Sequence, residues 1–210
     1  MGIRQRRLPE STFACPSVPF WLHFLMGSLK NSILISMPHM QDPYFARSVV
    51  LICDHTTEGA MGLIVNRPFE EPALKKLFVD VYKENSQLLE IVHTLYFGGP
   101  VMIERGIILH STDYQSDHSV TVSDQFALTS HKQILEDISR EKGPRYFKLM
   151  LGHAGWAGGQ LEREIENGDW LLQSTTPEFI FTTPEERMWQ TAARSLGVEV
   201  GDITGIGGQA

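Results

Sequence analysis

From Asn31 onward apolar residues arrive in short runs, and their spacing switches repeatedly between the two-residue repeat of strands and the longer repeat of helices. Ile33 to Ile35, closed by Pro38, predicts a short strand. Ser48 to Cys53, with Val49, Val50, Leu51 and Ile52 in succession, predicts a strand buried on both faces. Met61 to Val65 predicts a third, stopped by Asn66-Arg67-Pro68. Asp54 to Gly59 holds only polar residues and a glycine, so the second and third strands should form a hairpin. Ala73, Leu74, Leu77 and Val81 recur at helical spacing, and Leu88, Leu89 and Val92 extend that region. Tyr96-Phe97 and Ile107 to Leu109 predict two more strands, divided by Gly98-Gly99-Pro100.

The second half uses the same ingredients in another order. Ser130 and Gln133 have the spacing of a capping box ahead of a helix carrying Ile134 and Ile138, which Gly143-Pro144 stops. Tyr146 to Leu151 predicts a strand emptying into Gly152, and Leu161 with Ile165 a short helix ended by Asn167-Gly168. Trp170 to Leu172 and Phe179 to Phe181 predict strands. Thr183-Pro184-Glu185-Glu186 then opens a last helix with Met188, Ala192 and Leu196 on one face and Trp189 and Ala193 beside them. Strands and helices that mix without strict alternation, with hairpin links, indicate an α+β fold rather than a doubly wound parallel sheet.

Composition changes the picture in two ways. The chain of 210 residues carries 18 Lys+Arg against 25 Asp+Glu, a net −7, and residues 1–25 hold Arg4, Arg6 and Arg7 against Glu10. The remainder is therefore at −9. An acidic body lacks the footprint of direct nucleic-acid binding and is repelled by anionic lipid, so neither DNA nor a membrane is an expected partner. Two cysteines without a CxxC fit a reducing cytoplasm. The N-terminal 25 residues have the basic start and apolar stretch of a secretory signal, but Pro16 and Pro19 break the stretch, so a signal is not the expected reading. They are expected to be a disordered or artefactual extension, with Met26 as the native start and residues 26–210 as a single domain.

Candidate chemistry concentrates in a few places. The stretch Gly152-His153-Ala154-Gly155-Trp156, continuing to Gln160 and Glu162, places a glycine-rich loop before a helix, where backbone N–H groups can face an anion. It has no Gly-Lys-Ser/Thr, so it is not a nucleotide P-loop. The competing structural reading is that the glycines permit a tight crossing against which Trp156 packs. Cys53 and His55 form a Cys-x-His pair that would share one side of an unbroken strand, as a thiol nucleophile and its base require. A free cysteine is equally a small buried hydrophobe. His39, His55, His110 and His153 fall near strand ends, but no spacing makes them a metal site, and neither a metal nor a cofactor is expected. Gly98, Gly99 and Arg105 could form a second wall of a pocket, and Asn66 with Arg67 a third; for both arginines internal pairing competes with ligand binding.

These motifs occur in a familiar order. Asp42-Pro43-Tyr44-Phe45, Cys53-Asp54-His55, Gly59 to Pro68, Phe97-Gly98-Gly99-Pro100-Val101, Leu109-His110, Gly152 to Trp156, Gly159 to Glu162 and Trp170 together resemble the bacterial AlgH/YqgE family over about residues 29–210. That resemblance implies a bent, mixed, largely antiparallel, partly barrel-like sheet with flanking helices in a cytoplasmic protein. It implies a regulatory role without a secure activity. The leading expectation is a noncatalytic binding protein for a small anionic ligand or a regulatory protein partner, its transcriptional effect indirect. Its site would form where the loop of His153, Gly155, Trp156 and Gln160 meets the Asn66-Arg67 and Gly98-Gly99 turns, near Arg105. A thiol-dependent enzyme using Cys53 and a nearby histidine is the rival expectation, and direct DNA regulation a third.

Overall fold

The structure is a computed structural model that describes residues 27–69 and 94–198. The expectations for residues 1–25, for the helix through Ala73 to Val92 and for a loose tail from Gly205 lie outside the described residues.

Among the described residues nine strands and four helices follow in the order β1 (Ser32–Ser36), β2 (Val49–Thr56), β3 (Gly59–Ile64), β4 (Leu95–Phe97), β5 (Val101–Ser111), β6 (Ser119–Thr121), β7 (Phe126–Thr129), α1 (Gln133–Ser139), β8 (Phe147–Ala157), α2 (Gln160–Glu166), β9 (Trp170–Ser174), α3 (Pro177–Thr182) and α4 (Glu185–Ser195). The strands form one curled sheet in the order β6-β7-β5-β8-β3-β2-β1-β9, with β4 added to β8. Only the β4–β8 pairing is parallel. The chain thus has the α+β fold, with a bent, largely antiparallel, half-barrel sheet.

The curl comes from β8. It keeps β5 along one edge, whereas along the other its first half pairs with β4 and its second half with β3, so one strand serves two parts of the sheet. The change of partner occurs at Gly152, which has a left-handed φ of 69°. A side chain is impossible around this point: a Cβ on Gly98 would overlap the Gly152 carbonyl, and one on Gly152 would overlap the Gly99 carbonyl. On the other side of β8, Val101 pairs with His153 and Gly106 with Leu151, so four residues of β5 stand against Gly152 alone. This arch puts Met102 at a left-handed φ of 51° and carries Arg105 off the ladder.

Each face of the sheet is covered. Ile33, Ile35, Leu51 and Leu63 project to one side, where Ile180 of α3 and Met188, Trp189 and Ala192 of α4 pack on them. Leu34, Val50, Ile52, Ile64 and Trp156 project to the other, against Leu161 of α2 and Trp170. A smaller cluster joins Ile134 and Leu135 of α1 to Ile108 and Leu149. The Lys148 ammonium, nearly inaccessible, donates to Glu185 Oε1 at 2.7 Å and to the Val65 carbonyl at 3.2 Å, and sits 4.1 Å from the Tyr96 ring centroid. These contacts tie β8 to the start of α4.

Five expectations change. Phe179 to Phe181 is helical: Thr176 Oγ1 accepts from the Phe179 N–H and Pro177 occupies the first turn, so a capped start overrides three apolar residues that carry no period of their own. The Ser130–Gln133 capping box does not form; Lys132 is the residue before α1, and the Gln133 N–H bonds His131 Nδ1. Thr183 closes α3 rather than capping α4, and Leu196 lies past the last helical residue, exposed. The strand predicted to end at Gly152 continues to Ala157, because partners on both sides keep its ladder satisfied.

The crossing at β8 makes a stability prediction. Gly98→Ala places a methyl group against backbone that cannot rotate away and should cost about 3 kcal/mol or more. Gly168→Ala, at a φ of 80° with open space around it, should cost only about 1–2 kcal/mol. Urea unfolding of the two variants checks the order; equal losses would show that close approach of the backbone is not the constraint.

Candidate functional site

The residues singled out in the sequence separate into three places. Asn66 and Arg67 are struts. Asn66 Oδ1 accepts from the Val49 N–H at 2.8 Å and its amide donates to the Arg47 carbonyl, while the Arg67 guanidinium donates to the carbonyls of Pro43 and Ala46 at 2.8 and 2.5 Å. Both border an open hollow with Tyr44, Phe97 and Glu186, but their polar atoms already hold the 42–47 loop in place. Gly98 and Gly99 are buried beneath the β8 crossing and serve the close approach described above.

Trp156 and Gln160 belong to a second structural centre on the α2 side of the sheet. Glu164 accepts from Trp156 Nε1 and Trp170 Nε1 with one carboxylate oxygen and from the Gln160 amide with the other, at 2.8, 2.9 and 2.9 Å. Gln160 Oε1 in turn accepts from the Ala157 N–H. Trp156 is buried, in edge contact with Trp170, so it offers no open platform. The single cleft expected from the three glycine-bearing bends is therefore not what the chain builds. Gly155 stays exposed on β8, opposite Met61.

Arg105, His153 and Cys53 do converge. They line a cavity of about 640 Å³ at the open end of the curled sheet, on the side of the first core cluster. Met61, Ile107 and Leu128 supply apolar wall. Lys30, Asp54, His118, Ser130 and His131 complete the polar part. The β5 arch delivers Arg105, and the partner change of β8 delivers His153 next to it. Burial, and secondarily the Arg105 charge, hold the His153 imidazole below its ordinary pKa. Its Nδ1 is buried without a hydrogen-bond partner among the described residues. The His118 and His131 rings stack with centroids 3.9 Å apart.

Cys53 and His55 do not form a catalytic pair. Between Ile52 and Asp54 the β2–β3 register shifts by one residue, an irregularity that breaks the alternation a same-side pair needs. Cys53 packs in the first core cluster, while His55 accepts from the Leu29 N–H of the second cluster through Nδ1 and meets Glu162 through Nε2 at 2.8 Å. Burial pushes the Cys53 thiol up to about 12, against the weaker pull of Lys30, and its S–H points at the Leu51 carbonyl. Of the other histidines near strand ends, His110 is sealed in the interior between Thr129 Oγ1 and the Ser111 carbonyl, and His39 is exposed beside Asp169. No group of three His, Cys, Asp or Glu residues among those described has the arrangement of a metal site.

Three comparisons bear on this arrangement. A family model described as AlgH-like matches residues 33–201. A UPF0301 protein of Burkholderia thailandensis is 42% identical over 187 residues, covering 87% of this chain and 96% of its own, and one from Burkholderia mallei has the same figures. The solution structure of the AlgH protein from Pseudomonas aeruginosa superposes with a TM-score of 0.70 at 33% identity, over 88% of this chain and 97% of that one. A crystal structure of a protein from Corynebacterium diphtheriae, 23% identical with a TM-score of 0.63 over 80% of this chain and 87% of its own, shares the fold.

The burial of Cys53 sets its reactivity. Because the neutral thiol is favoured in the folded state, its alkylation should stay slow across pH 7–9, where an ordinary thiol of pKa near 8.5 already reacts. Peptide mapping after timed iodoacetamide treatment of native protein measures this at Cys53 itself. Rapid labelling with an inflection near pH 7 would restore the thiol-enzyme reading.

Proposed function

On the premise that this chain belongs to the AlgH-like family, we propose that it is a noncatalytic binding protein of the bacterial cytoplasm that takes a small anionic ligand. Its regulatory influence is exerted through that ligand or a protein partner rather than through contact with DNA. The observation that carries this reading is the cavity where Arg105, Lys30 and His153 converge. Other charges that the structure places are already used: Arg67 on backbone carbonyls, Lys148 on Glu185, and Glu164 on two indoles. By contrast, no carboxylate among the described residues lies within ion-pair distance of Arg105 or Lys30. Two cations and a hydrogen-bonding imidazole in a partly enclosed site suit charge-assisted hydrogen bonds to a phosphate or carboxylate.

The same geometry weighs against catalysis by the thiol, which burial holds neutral and whose S–H is directed at the Leu51 carbonyl. Direct DNA binding is disfavoured by the acidic body. No helix among the described residues is long and apolar enough to cross a membrane.

Titration of the full chain with ribose 5-phosphate, followed by calorimetry and by amide chemical shifts, tests the assignment. Saturable binding should perturb residues around His153, and Arg105→Ala should weaken it about tenfold or more, the scale of one charge-assisted contact. No saturable shift at millimolar ligand, or undiminished affinity in the variant, would contradict it.

A further inference from the structure

The cavity holds more than an anion needs, and three features narrow the ligand. The first is Asp54. It lines the same wall as Lys30, exposed at the irregularity of β2, and no ion pair with a described cation neutralises it. A bare phosphate gains nothing from a carboxylate nearby and is repelled by it. Asp54 is an asset only to a ligand that carries hydroxyl or amino donors at a distance from its anionic group, since an ionised carboxylate accepts and cannot donate.

The second feature is the histidine stack. His118 precedes β6 and His131 follows β7; both are exposed, both line the cavity, and their planes lie 22° apart at a centroid separation of 3.9 Å. Two rings stacked in this way end in a flat π surface, to which a third planar ring adds at little cost in orientation. The third is the apolar wall of Met61, Ile107 and Leu128, which suits the body of a ring and not a hydrated ion.

Resting on the anion-binding reading of this cavity, we infer that its ligand is a nucleoside phosphate of mononucleotide size. The phosphate lies with Arg105 and His153, the base lies on the His118–His131 stack, and Asp54 accepts hydrogen bonds from the sugar hydroxyls or a base amino group. A cavity of about 640 Å³ accommodates one such molecule, and the acidic body opposes the long phosphate backbone of a polynucleotide. Base stacking is tolerant of base identity, so the ring class is specified more tightly than the individual base.

Calorimetric titration of the full chain with inorganic phosphate, ribose 5-phosphate and the monophosphates of adenosine, guanosine, cytidine and uridine tests the inference. At least one mononucleotide should bind about tenfold or more tightly than ribose 5-phosphate. Replacing both His118 and His131 with Ala should erase that advantage, weakening the mononucleotide about tenfold more than it weakens ribose 5-phosphate. Asp54→Asn should weaken the mononucleotide while strengthening inorganic phosphate, opposite signs that general misfolding cannot produce. Mononucleotides binding no better than ribose 5-phosphate, or an advantage that survives loss of both histidines, would overturn the nucleotide assignment and leave the anion site standing. Failure of every phosphate compound to bind would overturn both.

Discussion

The backbone of β8 passes so close to the Gly98-Gly99 segment that neither side has room for a side chain, and the rest of the fold is arranged around that contact. At Gly152 one edge of the strand exchanges β4 for β3 while the other keeps β5 across an irregularity, so the sheet curls there instead of continuing flat. Curling leaves one end of the sheet open. The opposing β5 chain, obliged to place four residues against one, arches outward and carries Arg105 with it. The cavity and its principal cation are therefore consequences of one steric constraint in the backbone.

Around that frame the polar side chains divide by what burial demands of them. A buried ion or amide without partners costs several kcal/mol, and the buried Lys148 and the half-buried Arg67, Asn66 and Glu164 are each held by fixed internal groups. These contacts join segments distant in sequence: β8 to α4, β3 to the 42–47 loop, α2 to two indoles. Lys30, Asp54 and Arg105 keep access to solvent and have no such obligation, and they gather at the open end of the sheet. His153 falls between the two groups, with one ring nitrogen buried and unpaired beside Arg105. That division separates structural charge from charge available to a ligand.

Much of the sheet was legible in the chain, because runs such as Val49 to Ile52 admit few other conformations, and the β2–β3 hairpin followed from them. Phe179 to Phe181 misled because three apolar residues define no period, although Thr176-Pro177 before them carried the helix start signal. The brief strands β6 and β7 left little trace, and the His118–His131 pair they bring together was invisible for that reason. Arg105 and His153 were recognisable as candidates, whereas their meeting depended on a left-handed glycine that sequence punctuation suggests as a strand end. Trp156 and Gln160 looked like a recognition loop since their partner Glu164 lies on the next turn, where only coordinates show it accepting from both. The Cys53–His55 spacing failed through a single register shift, which no two-residue repeat can announce.

The protonation of His153 is the most direct probe of whether this open end receives an anion. In the unliganded protein, nuclear magnetic resonance titration of its ring should find a pKa below the ordinary 6.5, since burial and Arg105 both oppose a second positive charge. A bound phosphate supplies the missing negative charge, favours the imidazolium, and should move that pKa upward as the site saturates. A His153 pKa that stays fixed while phosphate ligand binds elsewhere would contradict the account.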